Sequence, residues 1–205
     1  FSYKQFGCDC RKNMRKILPI MIVKGHSCRL KGKNIKPYQG KPLFQWNLER
    51  LLNLFGGVVV DSDSDTILDM SSSIGAKIHK RDKLLLGDET PSVPIFQSIL
   101  NDYNGYDGML NVQANSPNTQ SYLISRAYDI LVNEHCDEII TCYSDGGRNG
   151  SIWGVSASKL YSYNDFFCVE PDVFIVDDAI DIHTQKDFDD ALKQRVKVTI
   201  QDSAP

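Results

Sequence analysis

The chain has 205 residues, of which 41% are hydrophobic and 24% are charged, and these values are typical of one globular domain with an apolar core. Its formal net charge of −3 excludes the strongly basic surface that proteins use to wrap duplex nucleic acid. No run approaches the roughly 18 consecutive apolar residues of a membrane-spanning helix, so we predict neither a nucleic-acid nor a membrane partner. The six cysteines are too sparse for a disulfide framework, and no signal peptide is recognisable, so a cytoplasmic location is predicted.

Short apolar runs alternate with amphipathic segments along the chain. The predicted strands cover 18–23, 58–60, 77–79, 109–112, 138–142, 151–155 and 173–176. The predicted helices cover 43–55, 67–74, 94–103, 122–132 and 185–193. This alternation predicts the α/β fold class, with a Rossmann-like, mostly parallel sheet in three layers. We predict one domain over 18–193, with an N-terminal extension at 1–17 and a C-terminal tail at 194–205.

A loop rich in cations and glycines, residues 24–34, follows the first predicted strand, and we call it the basic loop. Ligands of such sheets lie at the carboxyl ends of the strands. Glycines let a ligand approach the backbone, and cations neutralise phosphates, so the loop is a candidate polyphosphate site. It contains neither a Walker A motif nor a GxGxxG motif. A solvated basic turn is the alternative interpretation.

The basic loop continues through Lys33-Asn34 to Gly40-Lys41-Pro42-Leu43, where a helix is predicted to begin. This order resembles the start of the acylneuraminate cytidylyltransferases and of their relatives that act on 3-deoxy-octulosonate. The resemblance implies the fold of the nucleotide-diphospho-sugar transferases and a loop that binds the triphosphate of CTP. The positions it assigns to the nucleotide are Lys24, Gly25, Ser27, Arg29, Lys33 and Asn34, with Lys24 also catalytic.

Two further segments match the parts of this family that hold the nucleotide. Val58 to Asp63 resembles the second strand, and Leu86 to Ser92 resembles the segment before the third helix, so Asp63, Thr90 and Ser92 are candidate nucleotide ligands. Asp61 and Asp63 also fit a DxD metal motif of a glycosyltransferase, although they fail the EF-hand pattern. Thr90 or Ser92 fits a plain helix N-cap equally well.

Two later motifs predict the sugar and metal sites. Residues 111–117 mix the sialate and octulosonate forms of one family motif, which makes Gln113 and Asn115 candidate ligands of the sugar. Residues 181–188 resemble the closing motif, whose first two aspartates carry Mg²⁺ in the family. Asp181 matches the first and is assigned as catalytic and metal-binding, whereas His183 replaces the second. Because imidazole is a poor ligand for Mg²⁺, Mn²⁺ is the alternative metal.

The sialate enzymes carry a long basic insertion after the fifth strand, which contacts the sugar and builds a dimer. Here only residues 144–150 occupy that place, so the oligomeric state is left open. Arg148 is the candidate ligand for the carboxylate of the sugar.

The resemblance predicts a cytidylyltransferase that transfers CMP from CTP to an acidic sugar and releases pyrophosphate. Sialic acid or another 2-keto-3-deoxy sugar acid is the expected acceptor. Two alternatives remain at this point. One is a degenerate nucleotide-binding protein of the same fold without catalysis, and the other is a metal-dependent glycosyltransferase that uses Asp61 and Asp63.

Overall fold

The structure, a computed structural model, describes residues 14–87, 90–133, 136–163 and 171–194. The strands are β1 (Ile17–Val23), β2 (Pro37–Tyr38), β3 (Lys41–Pro42), β4 (Val59–Ser62), β5 (Lys77–Lys80), β6 (Gly108–Val112), β7 (Glu138–Cys142), β8 (Arg148–Ser156) and β9 (Val173–Val176). The helices are α1 (Gln45–Phe55), α2 (Asp65–Ser73), α3 (Ser92–Asp102), α4 (Ser121–Asn133), α5 (Ala157–Ser162) and α6 (Gln185–Lys193). Short 3₁₀ turns occupy Lys33–Ile35 and Lys83–Leu85.

Seven strands form one sheet in the order β5-β4-β1-β6-β8-β7-β9. Every neighbouring pair is parallel except the two that β8 makes, because β8 runs antiparallel to β6 and to β7. Strands β2 and β3 pair separately as a small antiparallel hairpin. The predicted α/β class with a mostly parallel sheet is therefore confirmed.

Apolar side chains cover both faces of the sheet and create the three layers. On one face, Phe44 and Leu48, Ile67, and Ile124 and Leu131 bring α1, α2 and α4 against the strands. On the other face, α3 and α5 pack through residues that include Ile95, Phe96, Ile99 and Leu160. A third cluster joins α6 to the small hairpin through Tyr38 and Phe188, whose ring centroids lie 5.4 Å apart.

All strands predicted from the apolar runs are present, and the five predicted helices differ from the observed ones by a few residues at most. Two elements were not predicted, the hairpin of two-residue strands and the short helix α5. Residues 1–13 of the predicted extension and 195–205 of the predicted tail lie outside the described residues.

The topology brings several loops to one edge of the sheet. Because β1, β4, β6, β7 and β9 are parallel to one another, their carboxyl ends lie at the same edge. Antiparallel β8 begins at that edge, which places Arg148 beside the ends of its neighbours. The basic loop, the segment after β6 and the segment after β9 therefore meet there, as expected for the ligand-binding edge of such a sheet.

Candidate active site

The basic loop is closed by hydrogen bonds of its own backbone and side chains. Asn34 donates from Nδ2 to the Lys24 carbonyl at 2.7 Å, and its own carbonyl accepts from the Phe44 N–H at 3.0 Å. The 3₁₀ turn Lys33–Ile35 follows Gly32, which has a φ of 64°, a conformation that glycine adopts without a steric penalty. The side-chain amide of Asn34 thus stabilises the loop, and Asn34 also lines the adjoining cleft.

Asp63 holds the beginning of the basic loop against the end of β4. Its Oδ1 accepts a hydrogen bond from the Gly25 N–H at 2.6 Å. The two segments lie so close that a Cβ atom on Gly25 would come within 2.5 Å of the Ser64 Cβ. Asp63 therefore positions the loop, and the glycine at residue 25 is required by this close approach.

Asp61 lies two residues earlier and faces a different environment. Its side chain is fully buried and accepts from the Arg81 Nε at 2.8 Å, while the other oxygen lies 2.9 Å from Nδ1 of His79. The hydrogen bond with Asp61 raises the pKa of His79 above its ordinary value, although burial opposes the shift. Both carboxylates of the DxD motif are thus committed to protein groups. The glycosyltransferase alternative is wrong on this point, since Asp61 and Asp63 do not share an open metal site.

A cleft of about 390 Å³ opens beside the basic loop, and we call it the cationic cleft. The lining residues that the sequence analysis assigned to a substrate or a metal come from two parts of the chain. Those from the basic loop are Lys24, Ser27, Arg29, Lys33 and Asn34, and those from the opposite side are Asn115 and His183. The structure therefore brings predicted nucleotide, sugar and metal residues together around one space of suitable size for phosphate groups.

Lys33 connects the two sides of the cationic cleft. Its Nζ donates to the Ile182 carbonyl at 2.6 Å, and the residue is 8% exposed. Burial lowers the pKa of Lys33, and the carboxylate of Asp181 opposes that shift. Lys33 thus positions the segment that carries Asp181 and His183, in addition to contributing charge at the cleft.

Asp181 and His183 form a pair at the far wall of the cationic cleft. Oδ2 of Asp181 lies 2.6 Å from Nε2 of His183, and Asn115 donates from Nδ2 to Oδ1 of Asp181. The Ile182 N–H also donates to the Asn115 carbonyl at 2.9 Å. The two side chains are 15% and 35% exposed, and of the two His183 lines the cleft. Together the pair offers one carboxylate and one imidazole.

The segment that carries this pair is held in place at both ends. After it, Thr184 and Asp187 form a capping box at the start of α6, and Asp187 also accepts from the His183 N–H at 3.0 Å. Before it, the buried Asp177 accepts from Thr119 Oγ1 at 2.9 Å and from Ser151 Oγ at 2.5 Å. Asp187 is therefore structural. The sequence analysis did not identify Asp177 as a residue that holds this segment. Only its position directly after β9 could have indicated that role.

A second cavity of about 300 Å³ lies over the ends of β6, β7 and β8, and we call it the apolar pocket. Predicted residues Ser92, Gln113 and Arg148 line it, although they were assigned to different parts of the substrates. The guanidinium carbon of Arg148 lies 5.7 Å from the ring centroid of Phe174. Sequence reasoning missed Asn111, which also lines this pocket and was readable only as a polar residue inside an apolar strand.

The segment before α3 contains the remaining predicted nucleotide residue. The N–H of Thr90 donates to the Gly87 carbonyl at 3.0 Å, and the two residues between them lie outside the described part of the chain. Thr90 lines neither the cationic cleft nor the apolar pocket. The N-cap interpretation of Thr90 and Ser92 is wrong, because Pro91 occupies that position and α3 has no side-chain capping bond.

The connection between β7 and β8 is a tight turn in place of a long insertion. The Tyr143 N–H donates to the Gly147 carbonyl at 2.6 Å, and the Gly146 N–H donates to the Tyr143 carbonyl at 2.9 Å. This turn agrees with the short segment found in the sequence, and it leaves Arg148 at the first position of β8.

Neither a metal cluster nor a membrane helix is found within the described ranges. No group of three or more His, Cys, Asp and Glu side chains is arranged to hold a metal ion among these residues. Within the same ranges, every helix is too short or too polar to cross a lipid bilayer.

Comparison with known proteins identifies relatives at the levels of family, sequence and fold. A family model described as cytidylyltransferase matches residues 20–166. The N-acylneuraminate cytidylyltransferase A of Danio rerio is 26% identical over 133 residues, which are 64% of this chain and 31% of that protein. The pseudaminic acid cytidylyltransferase of Campylobacter jejuni (serotype O:2) is 34% identical over 124 residues, which are 57% of this chain and 53% of that protein. This chain thus matches about a third and about half of the lengths of these two relatives.

A solved structure shows the same fold at low sequence identity. The CMP:2-keto-3-deoxy-manno-octonic acid synthetase complexed with CTP superposes with a TM-score of 0.69 and 13% identity, covering 87% of this chain and 97% of that one. At this identity the likeness concerns the fold alone. It confirms the predicted three-layer architecture of the nucleotide-diphospho-sugar transferase type.

Proposed function

Since this chain belongs to the cytidylyltransferase family, we propose that it transfers CMP from CTP to an acidic sugar and releases pyrophosphate. The observation that carries the proposal is the cationic cleft, in which the basic loop faces the Asp181–His183 pair across about 390 Å³. Such a cleft places positive charge where a triphosphate needs it, beside groups able to hold a divalent cation.

In the proposed reaction the anomeric hydroxyl oxygen of the sugar attacks the α-phosphorus of CTP. The new bond joins that oxygen to the α-phosphorus, the bond to the bridging oxygen breaks, and pyrophosphate leaves with the electron pair. The hydroxyl proton passes to solvent. Catalysis of this kind depends on positioning and on charge neutralisation more than on covalent chemistry.

The basic loop supplies the charge in this proposal. Lys24, Arg29 and Lys33 neutralise the triphosphate and then the leaving pyrophosphate, while the Ser27 hydroxyl approaches its oxygens. Asp63 acts indirectly, because its carboxylate is bonded to the Gly25 N–H. Ser92, the first residue of α3, lines the apolar pocket, and the assignment of Ser92 and Thr90 to the nucleotide stays a prediction from the sequence.

The Asp181–His183 pair is the proposed site of the divalent cation. One carboxylate and one imidazole leave most positions to phosphate oxygens and water, and the imidazole makes this donor set suit Mn²⁺ better than Mg²⁺. A cation bound there would withdraw electron density from the α-phosphate and lower the pKa of the attacking hydroxyl. Asn115 orients Asp181 through its amide N–H, and it is also a proposed contact of the sugar.

The apolar pocket is the proposed site of the sugar acid. Gln113 and Arg148 line it, and a guanidinium is well suited to bind the carboxylate that every 2-keto-3-deoxy sugar acid carries. The pocket lies next to the cationic cleft because Gln113 and Asn115 both follow β6. This arrangement would place the anomeric hydroxyl near the α-phosphate.

Pyrophosphate release from CTP with a panel of 2-keto-3-deoxy sugar acids, in Mg²⁺ or Mn²⁺, tests the function. We expect turnover by the wild-type chain and a loss of about a hundredfold in Asp181→Asn. Asp189→Asn is the matched control, since that carboxylate is exposed on α6, and it should retain the wild-type rate. A folded protein that binds CTP and releases no pyrophosphate with any acid would support the degenerate alternative instead.

A further inference from the structure

Glu138, the first residue of β7, has a buried carboxyl group that lies outside both cavities. The residue is 0% exposed, and its side chain accepts hydrogen bonds from two neutral groups. Oε1 accepts from Nε1 of Trp153 at 2.7 Å, and Oε2 accepts from the hydroxyl of Tyr163. Neutral donors offset the cost of removing a carboxyl group from water less well than a cation does. The gain in stability from this group is therefore small, and its effect is to fix the directions of two side chains.

Trp153 connects this carboxyl group to the apolar pocket. Its side chain lines the pocket beside Phe96, and the two ring centroids lie 4.9 Å apart. Ile140 of β7 pairs with Trp153 of β8, and Glu138 lies two residues before Ile140 on the same face of the strand. Because the pocket lies over the end of β7 and Glu138 is at its start, the hydrogen bond directs the indole N–H away from the pocket. The carbon atoms of the ring are thus left to line the pocket.

The hydrogen bond to Glu138 determines how the indole ring is turned. A tryptophan side chain rotates around χ1 and χ2, and its N–H group is a donor only, so a buried indole requires an acceptor in a fixed place. Glu138 supplies that acceptor, and the hydroxyl of Tyr163 holds the second oxygen, which stops the carboxyl group from turning. Tyr163 directly follows α5, so this bond also ties the helix to the start of β7. The ring of Trp153 is consequently held in one orientation.

This geometry gives Glu138 an effect on the reaction without contact with a substrate, and the inference rests on the proposed function. We propose that Glu138 is a positioning residue, which holds Trp153 as a fixed wall of the apolar pocket. A sugar acid bound against that wall keeps its anomeric hydroxyl aligned with the α-phosphate, and such alignment is a large part of catalysis. Without the carboxyl group the indole would turn, and the sugar acid would bind more weakly. CTP binding in the cationic cleft would not change, because Glu138 does not line that cleft.

Variants in which Trp153 is the only tryptophan test this inference. The chain has two tryptophans, so every variant is made in a Trp46→Phe background. Glu138→Met removes both acceptor oxygens at similar size, whereas Glu138→Gln keeps one oxygen that can accept from the indole N–H. Tyr163→Phe, which releases the second oxygen, is used in case Glu138→Met does not fold. Glu49→Met is the matched control, because the Glu49 side chain is 38% exposed on α1, at the other face of the sheet.

Binding is measured by titration calorimetry with a CTP analogue whose α and β phosphates are joined by a methylene group, so that no CMP is transferred. Sialic acid and 3-deoxy-octulosonate are the probes, and acrylamide quenching of the emission of Trp153 reports how firmly its ring is held. Glu138→Met should bind the preferred acid about tenfold more weakly than the background chain does, with a smaller loss in Tyr163→Phe. In both variants Trp153 should be quenched more readily. Glu138→Gln and Glu49→Met should match the background chain, and the affinity for the CTP analogue should be the same throughout.

The inference would be overturned if the background chain bound neither acid, or if Glu138→Met and Tyr163→Phe both bound the acid normally. Equal losses of affinity for the acid and for the CTP analogue would overturn it too, because they would show a general effect on the fold. The same holds if Glu138→Gln lost as much affinity for the acid as Glu138→Met. The expected losses in a chain that releases no pyrophosphate from CTP would support the inference and contradict the proposed function. Pyrophosphate release with unchanged acid binding in the variants would do the reverse, so the two can fail separately.

Discussion

At the residue scale, Gly25 shows how one missing side chain shapes the candidate nucleotide site. The N–H of Gly25 donates to Asp63, and a Cβ at Gly25 would come within 2.5 Å of the Cβ of Ser64, the N-cap residue of α2. The sequence predicted a glycine for close approach to phosphate. The structure adds a second reason, because the protein itself fills the space that a Cβ would need.

Gly25→Ala is expected to weaken CTP binding by about tenfold or more, which corresponds to about 1.4 kcal/mol. The added Cβ would come within 2.5 Å of the Ser64 Cβ, so the basic loop would have to move away from β4 and from Asp63. Gly57→Ala is the matched control, since no atom lies within 4 Å of a Cβ at that glycine. Titration calorimetry with CTP measures the effect, and equal affinities of the two variants would contradict it.

His79 makes a residue-scale prediction about pH. Its raised pKa means that the folded state binds the proton more tightly than the unfolded state does, so the stabilisation is fully present below the unfolded pKa of about 6.5. It is lost as the pH rises through the folded pKa. Each unit of the shift corresponds to about 1.4 kcal/mol.

Urea unfolding of the wild type and of His79→Gln between about pH 5.5 and 8.5 measures this contribution. The difference in free energy of unfolding should be largest at the acid end and should shrink as the pH rises. His26→Gln is the control, since His26 lines the open cationic cleft. A wild-type advantage that grows with pH would show that the sign is wrong.

At the scale of elements, α6 and the small hairpin hold the metal-site segment next to the basic loop. Phe188 packs edge-on against Tyr38 of β2, and the Tyr38 hydroxyl donates to the Ala191 carbonyl at 2.8 Å. Ile182, between Asp181 and His183, is buried in the same cluster. The periodicity of the sequence predicted α6 but not the hairpin, because two-residue strands are too short to show an alternating pattern.

Phe188→Ala is expected to destabilise the chain by about 3–5 kcal/mol, the usual cost of removing a buried aromatic side chain. The variant also loosens the wall that carries Asp181 and His183, so any stabilisation by CTP with Mn²⁺ should decrease. Leu192→Ala on the same helix is the control, since Leu192 is 42% exposed and should cost little. Thermal unfolding with and without the ligands gives both readouts, and similar melting temperatures for the two variants would contradict the prediction.

At the scale of the whole molecule, a tight turn joins β7 to β8 at the place where the sequence analysis noted a short segment. The residues that follow this turn, Arg148, Asn149 and Gly150, line the apolar pocket.

The short connection leaves the oligomeric state of the 205-residue chain open. Light scattering coupled to size-exclusion chromatography would determine it from the mass in solution.

The sequence by itself determined the order of the elements and the basic loop. Both are local properties, since apolar periodicity and runs of glycine and lysine are read within a few residues. It also placed Asp181 and His183 in one motif, and the two side chains do form a pair.

Only the tertiary structure decided how residues far apart in the chain divide their roles. Asp61 and Asp63 look alike in sequence, yet one is buried against Arg81 and His79 while the other holds the basic loop. The antiparallel direction of β8 and the hydrogen bonds of the buried Glu138 were also invisible, because both depend on which segments become neighbours. Burial is a property of the packed chain, and for that reason only the tertiary structure separated the fully buried carboxylate of Asp61 from the partly exposed one of Asp181.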